Sequence, residues 1–516
     1  MMSDVQDNAI RLRDSDNVAV LKKTIKAGAT VNCEGVALDC RQLIPAGHKI
    51  ALTSLSDGQA LIKYGQTIGF AKGSIQAGDH VHTQNVVMGD FGRDYEFCAD
   101  YHAVEMVPDG QRRTFMGYER ENGRVGTRNY IAVISSVNCS ASVSKYVAEH
   151  FRNEAFARKY PNIDGVIAVT HKSGCSLLPS EPLKMLQRVL AGMARHANIG
   201  GYVMIGLGCE VNQISHLIRD QKLDADTPGG AAPVSLNIQA LGGVRKTTEA
   251  GIKAVGEILD RVNAHQRSAQ SIDKLLLAMN CGGSDGNSGI TANPALGYAS
   301  DQLVRQGATS VLAETTEIYG GEHLLTRRAV SESVGQKLVD LIHWWEDHVK
   351  LYDASIDNNP SYGNKEGGLT TIYEKSLGAI AKAGQSPLAE VYRYAEPIKA
   401  KGLCFMDTPG NDPVSMTGLV SGGCTIGTFT TGRGSVYGCK PSPCIKIATN
   451  SPLYNWMEDD MDINAGTILD GSETVEEVGR RIFEKILSVA GGEKTKSELS
   501  GMGDEEFAPW MIGPVL

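Results

Sequence analysis

Residues 165–175 read GVIAVTHKSGC, a short apolar run followed by a polar turn that contains a glycine and a cysteine. The run has the length of a β-strand, and the glycine allows a tight turn into the next element. Runs of this kind recur along the chain and alternate with amphipathic helical patterns, which is typical of parallel strands joined by crossover helices. The pattern predicts an α/β architecture with strands near residues 131–135, 165–170, 202–205, 275–279, 310–313 and 402–406.

The rest of the chain divides around this pattern. Near the N-terminus, short β-type runs are broken by turn signals such as Pro45-Ala46-Gly47, which indicates a small β domain. A charged, aperiodic stretch follows it and is longer than an average connection. We predict a β domain over 1–90, a linker over 91–114, a Rossmann-like parallel α/β domain over 115–270 and a second, C-terminal α/β domain over 271–516.

Composition excludes several classes of protein. The chain has 516 residues, of which 42% are hydrophobic and 21% charged, so it can bury a large core. Its net charge of −9 offers no basic field for nucleic acid or anionic lipid, and no apolar run is long enough to span a bilayer. The N-terminal residues lack the features of a secretory signal. We therefore expect a cytoplasmic protein without nucleic acid or membrane partners.

Four of the eleven cysteines follow predicted strands. They are Cys139, Cys175, Cys209 and Cys281. The carboxyl ends of parallel strands lie along one edge of a sheet, where ligands bind, so the four thiols are expected to converge there. The alternative is that they are small buried residues at strand ends, as free cysteine often is.

Other candidate residues lie outside the cysteine motifs. His80 and His82 share one face of a predicted strand, and His48 follows a turn, so a metal or a carboxylate is a plausible ligand, with ordinary exposed histidines as the alternative. Glu314-Thr315-Thr316-Glu317 follows another strand and suits a hard cation or a base, or else a solvated helix start. Two glycine-rich loops carry Lys365 and Arg433, which suit a substrate carboxylate; a structural turn is the alternative for each.

Several common sites are absent from the sequence. It contains no GxxxxGK[ST] phosphate loop and no GxSxG nucleophile elbow, and Gly206-Leu207-Gly208-Cys209-Glu210 lacks the third glycine of a dinucleotide fingerprint. What remains is a glycine-lined cleft that bears thiols and carboxylates but has no nucleotide site.

The motifs together resemble those of the altronate dehydratase and galactarate dehydratase family of sugar-acid hydro-lyases. The resemblance covers essentially the whole chain. It rests on the segments 16–20, 47–52, 126–129, 171–175, 206–210, 281–286, 291–294, 363–365 and 431–434. It implies that the N-terminal domain is a small β-clip domain of the SAF type. Substrate signals conflict, because 80–82 and 409–412 look more like altronate enzymes and 314–317 more like galactarate enzymes.

The resemblance implies dehydration of a sugar acid, such as D-altronate or D-galactarate, to a 2-keto-3-deoxy acid. Such a reaction needs a base for the proton next to the carboxylate, cations or a metal for the enediolate charge, and help for the leaving hydroxyl. Iron(II) is the usual cofactor, with manganese(II) as an alternative. The expected iron ligands are Cys139, Cys175, Cys209 and Cys281, around one iron or holding an iron–sulfur cluster with one open iron.

The remaining roles are hypotheses from strand-end placement and the family motifs. We expect His171 to be the general base, with Lys365 second and Glu317 as a further catalytic candidate. The expected substrate-binding residues are Arg433, Arg128, Lys365, Asn364, Ser284, Asp285, His48 and His82. The same family contains a lyase that releases sulfite from sulfolactate, so a sulfo-lyase stays open, as does a non-catalytic sugar-acid binding protein. A homo-oligomer, specifically a dimer, is expected.

Overall fold

The computed structural model describes residues 7–89, 92–93, 95–224 and 233–513. Part of the N-terminal stretch and part of the predicted linker lie outside the described residues. The strands are β1 (Ala9–Ile10), β2 (Val18–Leu21), β3 (Thr30–Cys33), β4 (Val36–Asp39), β5 (Lys49–Ala51), β6 (Ala60–Lys63), β7 (Gln66–Ala71), β8 (His80–Val81), β9 (Val86–Val87), β10 (Thr114–Glu119), β11 (Val125–Gly126), β12 (Tyr130–Ser135), β13 (Gly165–Val169), β14 (Ile199–Gly206), β15 (Val234–Asn237), β16 (Ser268–Ser271), β17 (Leu276–Cys281), β18 (Thr309–Leu312), β19 (Leu388–Tyr392), β20 (Gly402–Met406), β21 (Ile426–Thr431), β22 (Cys444–Ala448) and β23 (Ile463–Asn464).

In the described residues, all the α-helices follow the N-terminal β domain. They are α1 (Ala141–His150), α2 (Glu154–Lys159), α3 (Glu181–Ala194), α4 (Ile214–Gln221), α5 (Ile238–Leu241), α6 (Val244–Asn263), α7 (Ala292–Arg305), α8 (His323–Thr326), α9 (Glu332–Lys350), α10 (Tyr362–Glu366), α11 (Ile372–Ile380), α12 (Asp412–Ser421), α13 (Ser451–Trp456), α14 (Val475–Ala490) and α15 (Lys496–Leu499). No helix in the described ranges is long and apolar enough to cross a membrane.

The N-terminal β domain consists of short antiparallel strands. Its sheets have the orders β1-β2-β5-β8, β6-β7-β9 and β3-β4. Alternating apolar side chains such as Leu21, Ile50, Leu61 and Ile68 are fully buried between these sheets. A small all-β domain at the N-terminus is therefore confirmed.

The segment after this domain runs along the C-terminal domain. Arg93 pairs with Glu322 at 3.0 Å and with Glu346 at 2.7 Å, and the Cys98 amide donates to the Thr326 carbonyl. Strand β10 then pairs antiparallel with β16, and Phe115 on β10 is buried in the core of the C-terminal domain. The segments that enter and leave the middle domain thus pack together against the C-terminal one.

The middle domain has a four-stranded parallel sheet in the order β13-β12-β14-β15. Helices α1 and α6 cover one face of this sheet, and α3 and α4 cover the other. The apolar runs are buried on both faces because helices lie on both sides, as in other parallel sheets.

The C-terminal domain has its own parallel sheet of seven strands in the order β19-β20-β18-β17-β21-β22-β23. Helices α7 and α14 pack against each other over one large apolar core, and helix α12 packs against α3 of the middle domain. The expectation that all strand ends share one edge was wrong. The strand before Cys281 belongs to this second sheet, because β17 pairs with β18 and β21 rather than with the middle-domain strands.

Candidate active site and metal centre

A cavity of about 400 Å³ lies at the carboxyl ends of the central strands of the seven-stranded sheet. This is the edge where open parallel sheets bind ligands. Its walls come from the segments after β17, β18 and β20, from helix α11 and from residues 355–364. The polar side chains on its walls include Thr316, Glu317, Asn359, Asn364, Lys375 and Asp412.

Five ionisable side chains form a buried cluster, and three of them, Cys281, Glu317 and Lys375, line this cavity. The Lys382 ammonium lies 2.8 Å from Cys281 Sγ and 3.4 Å from Glu314 Oε2. The Lys375 ammonium lies 2.7 Å from Glu317 Oε1, and Cys281 Sγ is 3.6 Å from Glu317 Oε2. We call Cys281, Glu314, Glu317, Lys375 and Lys382 the acid–lysine cluster. Each of its members is less than a tenth exposed.

Neighbouring backbone and helices hold this cluster in place. Glu314 follows β18 and precedes a short 3-10 helix; it lies in the left-handed region at φ 68°, and its amide donates to Thr408 Oγ1 at 2.8 Å. A short 3-10 helix over Thr315–Glu317 then brings Glu317 back to the cavity. All nine residues of α11 are buried, which places Lys375 inside the protein. Strain at a non-glycine residue of this kind persists only where the surroundings enforce it.

The two glutamates of the cluster differ in charge state. Burial and the charge of Glu317 raise the pKa of Glu314 to about 8. Burial also acts to raise the pKa of Glu317, but the adjacent Lys375 ammonium outweighs it and the pKa is lowered. Burial raises the pKa of Asp412, on the same cavity, to about 7. At neutral pH the site therefore holds one protonated and one ionised glutamate, the arrangement that acid–base chemistry uses.

Three histidines of the N-terminal β domain form a second group, the histidine triad His48, His80 and His82. Each offers a ring nitrogen within 4.8 Å of the others'. His48 Nδ1 and His80 Nε2 are hydrogen-bonded at 3.0 Å, and His48 Nε2 lies 3.0 Å from the Glu366 carbonyl. His82 Nδ1 is buried and has no hydrogen-bond partner. The triad thus contains an unpaired ring nitrogen in an enclosed position.

Of the two compact groups of candidate ligands among the described residues, the triad fits a divalent cation better. Burial lowers the pKa of His80 to about 4 and that of His82 to about 3, so both rings are neutral and can act as ligands. Cys281, Glu314 and Glu317 also offer atoms within 4.8 Å of one another. Two ammonium groups already neutralise that set, however, at 2.8 Å and 2.7 Å. A cation there would have to displace buried lysines.

A buried ion triad joins the histidines to the C-terminal domain. Lys49 follows His48, and its ammonium lies 2.8 Å from Glu374 Oε2, while the Lys63 ammonium lies 2.9 Å from Glu374 Oε1. The Lys49 ammonium also donates to the Gly368 carbonyl at 2.6 Å. Helix α10 connects the two sites: Asn364 lines the cavity, and the Glu366 carbonyl contacts His48.

Comparison with known proteins identifies the family. The chain is 39% identical to galactarate dehydratase (L-threo-forming) of Escherichia coli over 490 residues, which is 94% of this chain and 93% of that relative. The chain belongs to the altronate and galactarate dehydratase family. Three family models match: the altronate/galactarate dehydratase SAF domain at 7–89, the D-galactarate dehydratase/altronate hydrolase second domain at 117–263 and the D-galactarate/altronate dehydratase C-terminal domain at 272–515.

Two further relatives bear on the activity. Altronate dehydratase of Bacillus subtilis is 34% identical over 95% of this chain and 96% of its own length. The (2R)-sulfolactate sulfo-lyase β subunit of Chromohalobacter salexigens is 30% identical over 77% of this chain and 96% of its own length. The predicted membership of this dehydratase family is confirmed, and the sulfo-lyase is a more distant relative.

Several residues predicted from the family motifs meet between the triad and the cavity. The Asn364 amide donates to the Ser284 carbonyl at 2.9 Å, and Arg433 pairs with Glu366 at 3.1 Å on the surface. Asp285 is buried and accepts hydrogen bonds from Ser288, Asn287 and Thr449. Burial raises the pKa of Asp285. Lys365 lies half-buried on the same helix as Asn364.

Two predicted residues lie in structural roles instead. His171 is buried; its Nε2 bonds the Ser135 carbonyl at 3.0 Å and its Nδ1 accepts from the Ser173 amide at 3.2 Å, so no lone pair is left for a substrate proton. Burial lowers the pKa of His171 to about 4. Arg128 is fully buried and pairs with Glu498 at 2.7 Å. It ties the middle domain to α15 rather than facing the cavity.

The four predicted cysteine ligands separate into three and one. Cys139, Cys175 and Cys209 are exposed, whereas Cys281 is buried in the acid–lysine cluster. Cys139, Cys175 and Cys209 follow three adjacent strands, and the loops that carry them are hydrogen-bonded to one another, so these three thiols lie near one another. The structure does not bring the four cysteines together around one iron, because the strands that precede them belong to two different sheets.

Sequence reasoning missed the lysines of the site. Lys375 and Lys382 lie in the segment EKSLGAIAKA, which has the composition of an ordinary helix. Every residue of α11 is buried, so this helix has no solvent-facing side on which Lys375 could lie. A lysine on a helix without a solvated side must be paired inside the protein.

Proposed function

We propose that this chain is a hydro-lyase that removes water from a sugar acid, such as altronate or galactarate, and yields a 2-keto-3-deoxy acid. The observation that carries the proposal is the acid–lysine cluster, which combines an ionised and a protonated glutamate with two ammonium groups beside a cavity of about 400 Å³. The relatives' names support the same reaction.

In this proposal Glu317 is the base. Its carboxylate removes the proton from the carbon next to the substrate carboxylate, and the electron pair of the broken C–H bond moves into an enediolate. The Lys375 ammonium, 2.7 Å from Glu317 Oε1, lies where it can balance the charge of that intermediate. Glu314 then gives its proton to the leaving hydroxyl, so the C–O bond breaks and water departs. Ketonisation of the enol product gives the 2-keto acid.

The substrate carboxylate is proposed to bind at the rim of the cavity. Arg433 lies against Gly283 on the cavity wall, Asn364 offers an amide on the same wall, and Lys365 is the next residue on helix α10. Arginine is well suited to carboxylates because its guanidinium donates two parallel hydrogen bonds. Substrate would have to compete with Glu366 for Arg433.

Iron(II) is the proposed cofactor, and the histidine triad would hold it. His82 Nδ1, buried without a partner, is the observation that favours this site. When bound, the metal supplies a Lewis acid that polarises a substrate oxygen. The neutral imidazoles leave its charge available to that oxygen, and Lys49 and Glu374 keep the triad against the C-terminal domain.

The substrate is tested with a panel of aldonates and aldarates, assayed anaerobically with iron(II). We expect one of them to give a 2-keto-3-deoxy acid, detected by mass spectrometry with loss of one water. Sulfite release from sulfolactate, with no turnover of sugar acids, would replace the dehydratase with a sulfo-lyase. Thermal stabilisation by a sugar acid without any turnover would indicate a binding protein.

The metal site is tested separately by iron binding. The His80→Ala variant should lose tightly bound iron(II) and activity together, because two imidazoles hold the ion far less well than three. His216→Ala, at an exposed histidine outside the site, should keep both. Full iron binding by His80→Ala would place the metal elsewhere. The homodimer and the cytoplasmic location stay predictions; light scattering and cell fractionation test them.

A further inference from the structure

Three exposed thiols lie at one edge of the middle domain, away from the acid–lysine cluster. Cys139 follows the central strand β12, and Cys175 and Cys209 follow β13 and β14 on either side of it. Neighbouring strands are about 4.8 Å apart, so three consecutive strand ends span about 10 Å. We call these residues the thiol trio. They present three cysteines from three adjacent loops on one edge of the sheet.

Backbone hydrogen bonds between the loops fix the trio. The Asn138 amide donates to the Ser173 carbonyl at 2.9 Å, and the Val211 amide donates to the Cys175 carbonyl at 3.0 Å. A Cβ on Gly174 would lie 2.4 Å from the Ser136 carbonyl oxygen, so the loop after β13 touches the loop after β12. Each loop that bears a cysteine is therefore bonded to the next one, and the thiols have defined positions.

The spacing of the thiols decides what they can bind. Thiolates on one tetrahedral ion, at about 2.3 Å from it, lie about 3.8 Å apart. Among the described residues, the groups whose ligand atoms all lie within 4.8 Å of one another do not include the trio. The loops that carry the thiols are nevertheless hydrogen-bonded to one another, so the three cysteines lie close together. This wider spacing suits a cluster in which each cysteine binds a different iron.

The surroundings of the trio suit an anionic cluster. The Gln239 amide donates to Cys209 Sγ at 3.3 Å, and hydrogen bonds to sulfur are a usual feature of such sites. Helix α1 begins at Ala141, next to Cys139, so the positive end of its dipole lies at the trio. The nearby Glu210 is occupied with Ser136 Oγ at 2.7 Å and the Gly208 amide at 2.6 Å, and it does not compete as a ligand.

We propose that Cys139, Cys175 and Cys209 hold an iron–sulfur cluster of the [4Fe–4S] type, whose fourth iron has no cysteine ligand and is open to an oxygen ligand. The cluster is separate from the histidine triad and from the dehydration proposed above. Its ligands are exposed, so dioxygen would reach the open iron and take one electron from the cluster; that iron would leave as iron(II), and a [3Fe–4S] form would remain.

The test is anaerobic purification, or reconstitution with ferrous iron and sulfide, followed by iron and acid-labile sulfide analysis. We expect about four sulfides per chain, broad visible absorption from sulfur-to-iron charge transfer, and a [3Fe–4S] electron paramagnetic resonance signal after brief exposure to air. Iron without sulfide, zinc, or an unmetallated trio after reconstitution would each overturn the proposal.

Variants assign the ligands. Cys209→Ser and Cys175→Ser should each lose the sulfide and the visible absorption while keeping the circular dichroism of the wild type, because both positions are exposed. Cys98→Ser, at a half-buried cysteine in the segment between domains, should keep the cluster. Retention of full sulfide by both trio variants would contradict the assignment. His80→Ala should keep its sulfide even though it loses iron(II), so failure of the metal site and failure of the cluster are distinguishable.

Discussion

Glu314 and Glu317 are only three residues apart in the chain, yet the protein holds them in opposite charge states. The difference comes from their neighbours. Lys375 lies 2.7 Å from Glu317, whereas Glu314 Oε1 is buried without a partner. Burial and the charge of Glu317 outweigh the Lys382 ammonium, 3.4 Å from Glu314 Oε2, so Glu314 keeps its proton. The site can therefore accept a proton at Glu317 and donate one at Glu314.

Removing the base should abolish turnover without unfolding the protein. We expect Glu317→Gln to lower kcat by about 10²- to 10⁴-fold, because the amide cannot take the substrate proton. Exchange of the substrate α-proton with deuterated water, followed by NMR, should be lost as well. The control is Glu332→Gln on the exposed start of α9. Normal proton exchange in Glu317→Gln would move the base elsewhere.

The activity should fall at alkaline pH because Glu314 acts in its protonated form. Its pKa is raised to about 8, so the proton is present at neutral pH and is lost as the pH rises through that value. We expect kcat/KM to fall about tenfold per pH unit above this point. A profile measured from pH 6 to 10 that stays flat throughout would remove Glu314 from the role of acid.

At the scale of elements, helix α11 joins the N-terminal domain to the catalytic one. Glu374 on this helix is fully buried between Lys49 on β5 and Lys63 on β6. Burial acts to raise the pKa of Glu374, but the two ammonium groups outweigh it and the pKa is lowered. Since Lys49 follows His48, the same contact determines where the histidine triad lies.

Breaking this contact should destabilise the protein and displace the triad. We expect Glu374→Gln to cost about 3 to 5 kcal/mol of unfolding free energy, because it leaves two buried lysines without a counter-charge. The matched control is Glu390→Gln, which breaks the more exposed pair with Lys337 and should cost about 1 kcal/mol or less. Denaturant unfolding compares the two. Equal losses of unfolding free energy would mean that the buried pairing of Glu374 with Lys49 and Lys63 stabilises the protein no more than the exposed pair does.

At the scale of the whole molecule, His196 links the middle and C-terminal domains. Its Nε2 lies 3.0 Å from the Cys424 carbonyl, and its Nδ1 accepts from the Asn198 amide at 3.0 Å. Burial lowers the pKa of His196 to about 4, below the value of about 6.5 in an unfolded chain. The unfolded chain therefore binds a proton first as the pH falls. The stabilisation is complete above about pH 6.5 and is lost progressively toward pH 4.

A variant isolates this contribution from those of other titrating groups. The stability difference between the wild type and His196→Gln should shrink by about 2 kcal/mol between pH 7 and pH 5, because only the wild type loses the neutral buried imidazole. Urea unfolding followed by circular dichroism measures it. His216→Gln, at an exposed histidine, should show no pH-dependent difference. A stability difference between the wild type and His196→Gln that does not change with pH would show that the buried neutral imidazole does not cause the loss of stability at low pH.

The sequence by itself determined the α/β class, the small N-terminal β domain and the family, because periodicity and local motifs report on neighbours along the chain. It also placed Glu317, Asn364, His48 and His82 among the candidates, through their positions near predicted strands and turns and through the family motifs. Only the tertiary structure decided that the strand-end cysteines belong to two sheets, that both nitrogens of His171 are used, that Lys375 lines the cavity and that Lys382 contacts Cys281 behind it. These depend on which strands pair and which helix is buried, and contacts between residues far apart in sequence leave no local pattern.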